Sequence, residues 1–272
     1  MKFDLHIHTN FSDGILMPHE VVDLAKHNNL DGIAITDHDT IFGIDEAINR
    51  GKSYDDFYII PGIEFGSIYN GEDVHILGYF IDYKNEELIE TIDKLVNSRI
   101  NRAKKIIEKL NELGVRITLE DVKEHTNKKN IGRPHIARAM IDKNYVETIS
   151  EAFDKYLDRG KPAYVERLYL SIDETIKLIR TINGISVLAH PGLLKDREII
   201  DYCVVWGIDG IECIHPKHSK EEIEQFTKIA NKNDLIITGG SDFHGDADRT
   251  GIGKFFVDLN DVPEMRRRLK NV

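Results

Sequence analysis

His6 and His8 stand two residues apart in Asp4-Leu-His-Ile-His-Thr-Asn-Phe-Ser-Asp13-Gly14, with the carboxylate of Asp13 close behind them. Phe3, Leu5 and Ile7 alternate with polar residues, a period of two that predicts a strand with both imidazoles on one face. Two imidazoles at that spacing can share one metal ion, and Asp13, in the polar loop that follows, offers a hard oxygen donor. The alternative for this stretch alone is a solvated edge strand, and the rest of the chain decides between them.

Similar endings recur. Gly32-Ile-Ala-Ile-Thr-Asp37-His38-Asp39 is an apolar run that stops abruptly in charge, as a buried parallel strand does when it delivers side chains at its C-terminal end. Tyr58-Ile-Ile-Pro-Gly-Ile-Glu64, Asp73-Val-His75, Ile185-Ser-Val-Leu-Ala-His190, Gly207 to Glu212 and His215, and Leu235 to Asp242 and His244 repeat the form. One histidine in such a place is usually a hydrogen-bonded core residue. Seven strand ends all carrying ligand-type groups make that explanation an unlikely coincidence. The set holds imidazoles and carboxylates and no thiolate, which favours manganese, iron or zinc in a catalytic role over a structural zinc.

The elements that position these residues follow from the spacing. Strand candidates near residues 5, 35, 60, 76, 188, 211 and 238 alternate with helices, including one from Pro18 to Asn29 and two opened by the capping boxes Ser171/Glu174 and Ser219/Glu222. A closed parallel barrel brings strand C-termini to one mouth. From about Asn85 the character changes: Ala103, Ile106, Ile107, Leu110 and Leu113 mark an amphipathic helix, Thr118–Thr126 a short one, and Gly132-Arg133-Pro134-His135 opens a third. Residues 85–170 therefore read as a helical insertion into a barrel formed by 1–84 and 171–272. Free N–H groups at the helix start beside Arg133 and His135 suit a phosphate, and Lys161 in Gly160-Lys-Pro-Ala-Tyr can add to the same pocket.

The net charge of −11 argues against broad binding to a duplex nucleic-acid backbone. Charge is uneven, however: Ile92–Arg138 carries 12 Lys or Arg against 6 Asp or Glu. An acidic body with a basic insert suits cations in one part and an anionic substrate held by the other. Two cysteines are too few for a disulfide framework, no stretch resembles a signal peptide, and no apolar run approaches the roughly 20 residues of a membrane span. These features predict a soluble protein in a reducing, cytoplasmic setting.

Asp4-Leu-His-Ile-His-Thr, Ile35-Thr-Asp-His-Asp, Gly62-Ile-Glu, Ala189-His-Pro-Gly and Gly240-Ser-Asp-Phe-His together resemble, in order and over nearly the whole chain, the polymerase and histidinol phosphatase (PHP) family. The resemblance implies a distorted seven-stranded (β/α) barrel with three divalent metal ions, Mn2+ first, with Fe2+ or Zn2+ as alternatives. It gives one ion His6, His8, Glu64 and Asp242, a second His75 and His190 with Glu64 shared, and the third Asp13, His38 and His244. The Gly132-Arg-Pro-His and Gly-Lys-Pro-Ala-Tyr segments further resemble the subgroup that hydrolyses nucleotide phosphates, including 3′,5′-bisphosphonucleotides, and RNA 5′ ends. The expected reaction is attack on phosphorus by hydroxide generated on the clustered cations. Arg133, His135 and Lys161 are then substrate-binding candidates, His135 and His215 candidate acids for the leaving group, and Asp37 a group that orients a ligand. Competing expectations are a histidinol-phosphate phosphatase, a barrel that has lost catalysis and serves as a scaffold, and a C–N bond hydrolase. The oligomeric state is not specified by these features.

Overall fold

A computed structural model describes residues 1–126, 131–166, 168–246 and 250–271. Its strands are β1 (Lys2–Asp4), β2 (Gly32–Ile35), β3 (Tyr58–Tyr69), β4 (Glu72–Tyr79), β5 (Leu170–Ser171), β6 (Ile185–Leu188), β7 (Gly210–Ile214), β8 (Ile236–Gly239) and β9 (Val257–Asp258). The α-helices are α1 (Pro18–His27), α2 (Ile44–Gly51), α3 (Glu86–Glu112), α4 (Leu119–Lys123), α5 (Arg133–Asp142), α6 (Ile149–Ala152), α7 (Ile172–Thr181), α8 (Glu198–Val205), α9 (Lys220–Lys232) and α10 (Pro263–Arg268).

The sheet runs β8-β7-β6-β4-β3-β2-β1-β9, with β5 beside β3. Its ends meet: Leu5 N–H donates to Gly239 O at 3.2 Å, Phe243 N–H to His6 O at 3.3 Å and His8 N–H to Phe243 O at 2.9 Å. The result is a nearly closed, distorted α/β barrel, as expected. Gly240 stands at this seam because the chains touch there; a Cβ on it would lie 2.4 Å from the His6 nitrogen.

Two details depart from the sequence reading. β4 is antiparallel to both β3 and β6, so His75 lies inside a descending strand rather than at the end of an ascending one. The cause is the two-residue connection Asn70-Gly71, both at positive φ (49° and 84°), a type I′ geometry that folds a strand straight back on its neighbour. The expected single apolar face of the first strand is also divided. Phe3 and Leu5 pack with Ala34, Ile60, Leu77 and Val187, whereas Ile7 joins Val21, Val22, Ala25 and Ile44 beneath α1 and α2. Regular pairing stops at Asp4, and the alternation shifts where the chain crosses to β8.

α3 is longer than the periodic stretch that predicted it. Asn85 caps it by accepting from the N–H groups of Glu87 and Leu88. Leu88, Ile92 and Leu95 pack in the cluster around the barrel, while Ala103, Ile106 and Leu110 join Ile136, Met140, Leu157 and Ala163 in a separate one. One rigid helix thus enters both apolar clusters.

Candidate metal centre

Glu64 sits fully buried on β3 and is the hub of the mouth. Its Oε2 lies 3.2 Å from His6 Nε2, 3.2 Å from His8 Nε2 and 3.1 Å from His38 Nδ1. Its Oε1 lies 2.9 Å from His75 Nδ1 and 3.1 Å from His190 Nε2. Asp242 brings a second carboxylate, with Oδ1 at 3.2 Å from His8 Nε2 and 3.6 Å from His6 Nε2. Asp13 Oδ1 is 3.2 Å from His244 Nε2 and 3.7 Å from His8 Nδ1. All nine expected ligands therefore meet, although they come from segments spread over the whole barrel.

The grouping of donor atoms overlaps the division that the resemblance implied without reproducing it at each residue. Donor atoms of His8, Asp13, His38 and His244 lie within 4.8 Å of one another, as do those of His6, His8 and Asp242, of His6, Glu64 and His190, and of His38, Glu64 and His75. His6, His8, His38 and Glu64 thus each reach two groups. The donor set fits divalent cations: His8 Nε2 and Asp13 Oδ1 are buried beside oppositely charged groups at 3.2 Å without an aligned hydrogen bond, and such atoms are costly unless something coordinates them.

Electrostatics supports the same reading. Burial disfavours a charged His8, yet the carboxylates of Asp242 and Glu64 push it up to about 10; His6 is raised in the same way by Glu212, Glu64 and Asp242. At His38 burial wins and holds the imidazole well below its ordinary range. Glu64, despite burial, is held well below the usual carboxylate range by His38, His6 and His75. Protons here neutralise carboxylates where cations would otherwise do so.

Supporting residues fix the orientation. His6 Nδ1–H donates to Glu212 Oε1 at 3.0 Å, leaving Nε2 as a lone-pair donor, and Glu212 Oε2 accepts the His190 backbone N–H at 2.8 Å. Glu212 stands at a strand end in the sequence without a task; a carboxylate three residues before His215 is the only hint of it. The Asp37 carboxylate accepts Thr9 N–H and Thr9 Oγ–H, both at 2.7 Å, and Ser12 Oγ–H, so it braces the loop that carries Asp13, while its carbonyl accepts the Glu64 N–H at 3.2 Å. Two of those candidates have strained backbone, His190 at φ 28° and Asp242 at φ 51°, which is characteristic of sites whose geometry the surrounding fold enforces.

The outer candidates divide. His215 Nδ1 accepts the Lys217 N–H at 3.2 Å, so a neutral ring carries its proton on Nε2, 3.6 Å from Asp242 Oδ2. His135 Nδ1 accepts the Gly132 N–H at 2.9 Å, and burial lowers the ring to about 4, so it is neutral near pH 7. Arg133 donates to Leu157 O at 3.2 Å, and Lys161 is exposed. Sequence reasoning missed Arg99 on α3, which is buried in the centre's wall and paired with Asp39. A cavity of about 1060 Å³ lies elsewhere, lined by Tyr58, Phe80, Gly184 and Asp209 from the opposite ends of the strands.

An α/β barrel whose mouth gathers this many imidazoles around buried carboxylates defines a metal-dependent hydrolase. The PHP domain family matches residues 4–237, and the chain belongs to that family. It is 32% identical over 249 residues to a 5′-3′ exoribonuclease of Haemophilus influenzae, covering 89% of this chain and 90% of that one. It is also 32% identical over 254 residues to a 3′,5′-nucleoside bisphosphate phosphatase of Chromobacterium violaceum, covering 89% and 87%. A solved metal-dependent phosphoesterase structure from Bifidobacterium adolescentis superposes with a TM-score of 0.89 at 32% identity, over 98% and 96% of the two chains. The chain is accordingly a metal-dependent phosphoester hydrolase. Among the described residues no helix is long and apolar enough to cross a membrane.

Proposed function

We propose that the protein hydrolyses phosphate esters of small nucleotides, namely 3′,5′-bisphosphonucleotides and nucleoside monophosphates, or acts on RNA 5′ ends. The observation that carries this is the juxtaposition of the Glu64 hub with a guanidinium-rich wall from α3 and α5, supported by the names of the matched relatives. We assign three divalent ions, Mn2+ first, to His6, His8, Glu64 and Asp242; to His75, His190 and shared Glu64; and to Asp13, His38 and His244. When bound, they supply an activated water and neutralise phosphoryl oxygens.

The chain's own residues do the rest. Glu212 sets the tautomer of His6, Asp37 holds the Asp13 loop, and His215 Nε2–H faces the centre as proton donor to the leaving oxygen. Segment 85–170 acts as the substrate-facing insert, with Arg133, His135 and Lys161 on its nucleotide side; the Arg138–Asp246 ion pair at 3.8 Å ties it to the strand-end loop. His135 is held as a helix cap by the Gly132 N–H, so His215, which faces Asp242, is the better placed of the two candidates. A cytoplasmic setting suits Cys203 and Cys213, both free and buried.

Turnover of adenosine 3′,5′-bisphosphate, a short 5′-phosphorylated RNA and histidinol phosphate, each with added Mn2+, tests the proposal. Preference for one of the first two is expected. Clear preference for histidinol phosphate would end the nucleotide reading, and no turnover of any would favour the scaffold reading.

A further inference from the structure

The 1060 Å³ cavity opens at the end of the barrel where the parallel strands begin: Tyr58 starts β3, and Gly184 and Asp209 stand just before β6 and β7. Glu64 lies six residues further along β3, so about 20 Å of strand separates the cavity from the metal centre. Barrels of this kind work at their strand C-termini, and residues at the opposite end serve stability. A large concavity there lies outside the reach of the hydrolytic reaction and has the size of a small-molecule site.

Its lining combines two kinds of group. Tyr54, Tyr58, Phe80 and Tyr83 supply aromatic surface. Phe80 has a left-handed backbone, φ 55°, where a bulky residue is strained and Gly or Asn would be relaxed. Its neighbours impose the bend: Ile81 N–H donates to Pro61 O at 3.3 Å and Asp82 N–H to Ile182 O at 2.9 Å. A ring kept at such a position and left half-buried is a feature that a ligand completes. The second kind is cationic. Lys52, Lys84, Arg180 and Arg268 line the cavity against three carboxylates, on a chain of net charge −11. Arg180 Nη2 donates to Gly207 O at 3.0 Å and Arg268 donates to Asn183 O, so neutral carbonyls fix both guanidiniums and leave their charge uncompensated. Part of that charge answers the C-terminal carbonyls of α7, in whose last turn Arg180 lies, but the remaining N–H groups of each fork are left over. The carboxylates are spent on neutral donors: Asp209 accepts Ser186 N–H at 2.8 Å and Oγ–H at 2.7 Å, and Asp82 accepts the Lys84 N–H at 3.2 Å. Asp56, the third, is exposed in the loop before β3.

We propose that this cavity is a second ligand site, remote from the metal centre, for an anion with a flat aromatic body. The ring lies against Tyr54, Tyr58, Phe80 and Tyr83, and the charge sits at the rim formed by Arg180 and Arg268. A phosphate-type or a carboxylate head meets the same planar guanidinium forks. The site needs neither a metal nor phosphoester chemistry, so it stands independently of the function proposed above. Bound there, the anion touches the feet of β3 and β7, the strands that present Glu64 and Glu212 at the opposite end.

The test is a fluorescence titration of the Mn2+-loaded protein with 8-anilinonaphthalene-1-sulfonate and with N-phenyl-1-naphthylamine, which share a ring system and differ by the sulfonate. The sulfonate should bind once per chain. Arg180→Gln and Arg268→Gln should each weaken it about 10-fold, the value of one charge-assisted contact, and leave the neutral probe unchanged. Phe80→Asn, which suits the left-handed backbone and removes the ring, should weaken both probes. His6→Ala should change neither. 1-Naphthylphosphonate and 1-naphthoate, which are not esters and are not consumed, then compete with the sulfonate: displacement by the first assigns a phosphate-type head, and by the second a carboxylate. Displacement by neither would overturn the site. Equal losses of both probes in the arginine variants would overturn it too, as would loss of sulfonate binding in His6→Ala, which would put the probe at the metal centre. Should Arg268→Gln or Phe80→Asn fail to fold, Arg180→Gln, at an exposed position, carries the comparison.

Discussion

Single residues decide whether the centre holds its cations in the right geometry, and Glu212 is the clearest case. One oxygen fixes the proton of His6 on Nδ1 and the other holds the backbone of His190, so one side chain orients two candidate ligands. Glu212→Gln keeps the shape and removes the charge that stabilises that tautomer. Metal affinity should fall about 10- to 100-fold, read as Mn2+ retained against a chelator, with little change in circular dichroism. Unchanged retention would mean that His6 is not a ligand. At the other edge, His135 is buried and held at about 4 against an ordinary value of 6.5. The folded protein then binds fewer protons there than the unfolded chain. The stability His135 contributes is complete above pH 6.5 and is lost as pH falls towards 4, in total about 3 kcal/mol. His135→Gln retains an acceptor for the Gly132 N–H and does not titrate. The melting temperature of the wild type should therefore drop relative to that variant across this window, and parallel curves would refute the assignment.

Elements bring the residues together, and here the sequence was legible in part. Apolar runs ending in His, Glu or Asp pointed to strands feeding one mouth because buried strands tolerate charge only where they end. What could not be read was direction. Asn70-Gly71 is a strong hairpin signal, but His75 looked like another strand-end ligand until the antiparallel register placed it opposite Gly66 in the middle of β4. Glu212 escaped for a related reason: its partner is 206 residues away, and no local pattern reports a contact across the barrel. Arg99 was not legible because Asp39, with which it pairs, lies outside its helix. The first strand and its loop are separate elements, and they allow a division to be tested. His6→Ala should empty the position built on Glu64, whereas Asp13→Ala should loosen the one shared by His38 and His244. Mn2+ bound per chain across a titration distinguishes them. Equal losses in both variants would show that the overlap at His8 and His38 makes the ions one cooperative unit.

On the scale of the whole molecule, charge separates what α3 joins. A chain of net charge −11 repels an extended polyanion, yet it presents guanidiniums beside cation-binding carboxylates at one mouth. Affinity for a phosphorylated substrate must then come from a few deeply held phosphates rather than from a basic track along the surface. For single-stranded RNA each neutralised phosphate contributes about −0.7 to the slope of log K against log salt. Two or three contacts give a slope of about −1.4 to −2.1. A 5′-phosphorylated RNA of a dozen nucleotides should show that shallow dependence and bind no more tightly than a trinucleotide, because nucleotides beyond the mouth meet an acidic body. A slope much steeper than this, or affinity that grows with length, would require a backbone-binding track that the charge distribution does not provide, and would shift the insert from a pocket wall to a nucleic-acid guide.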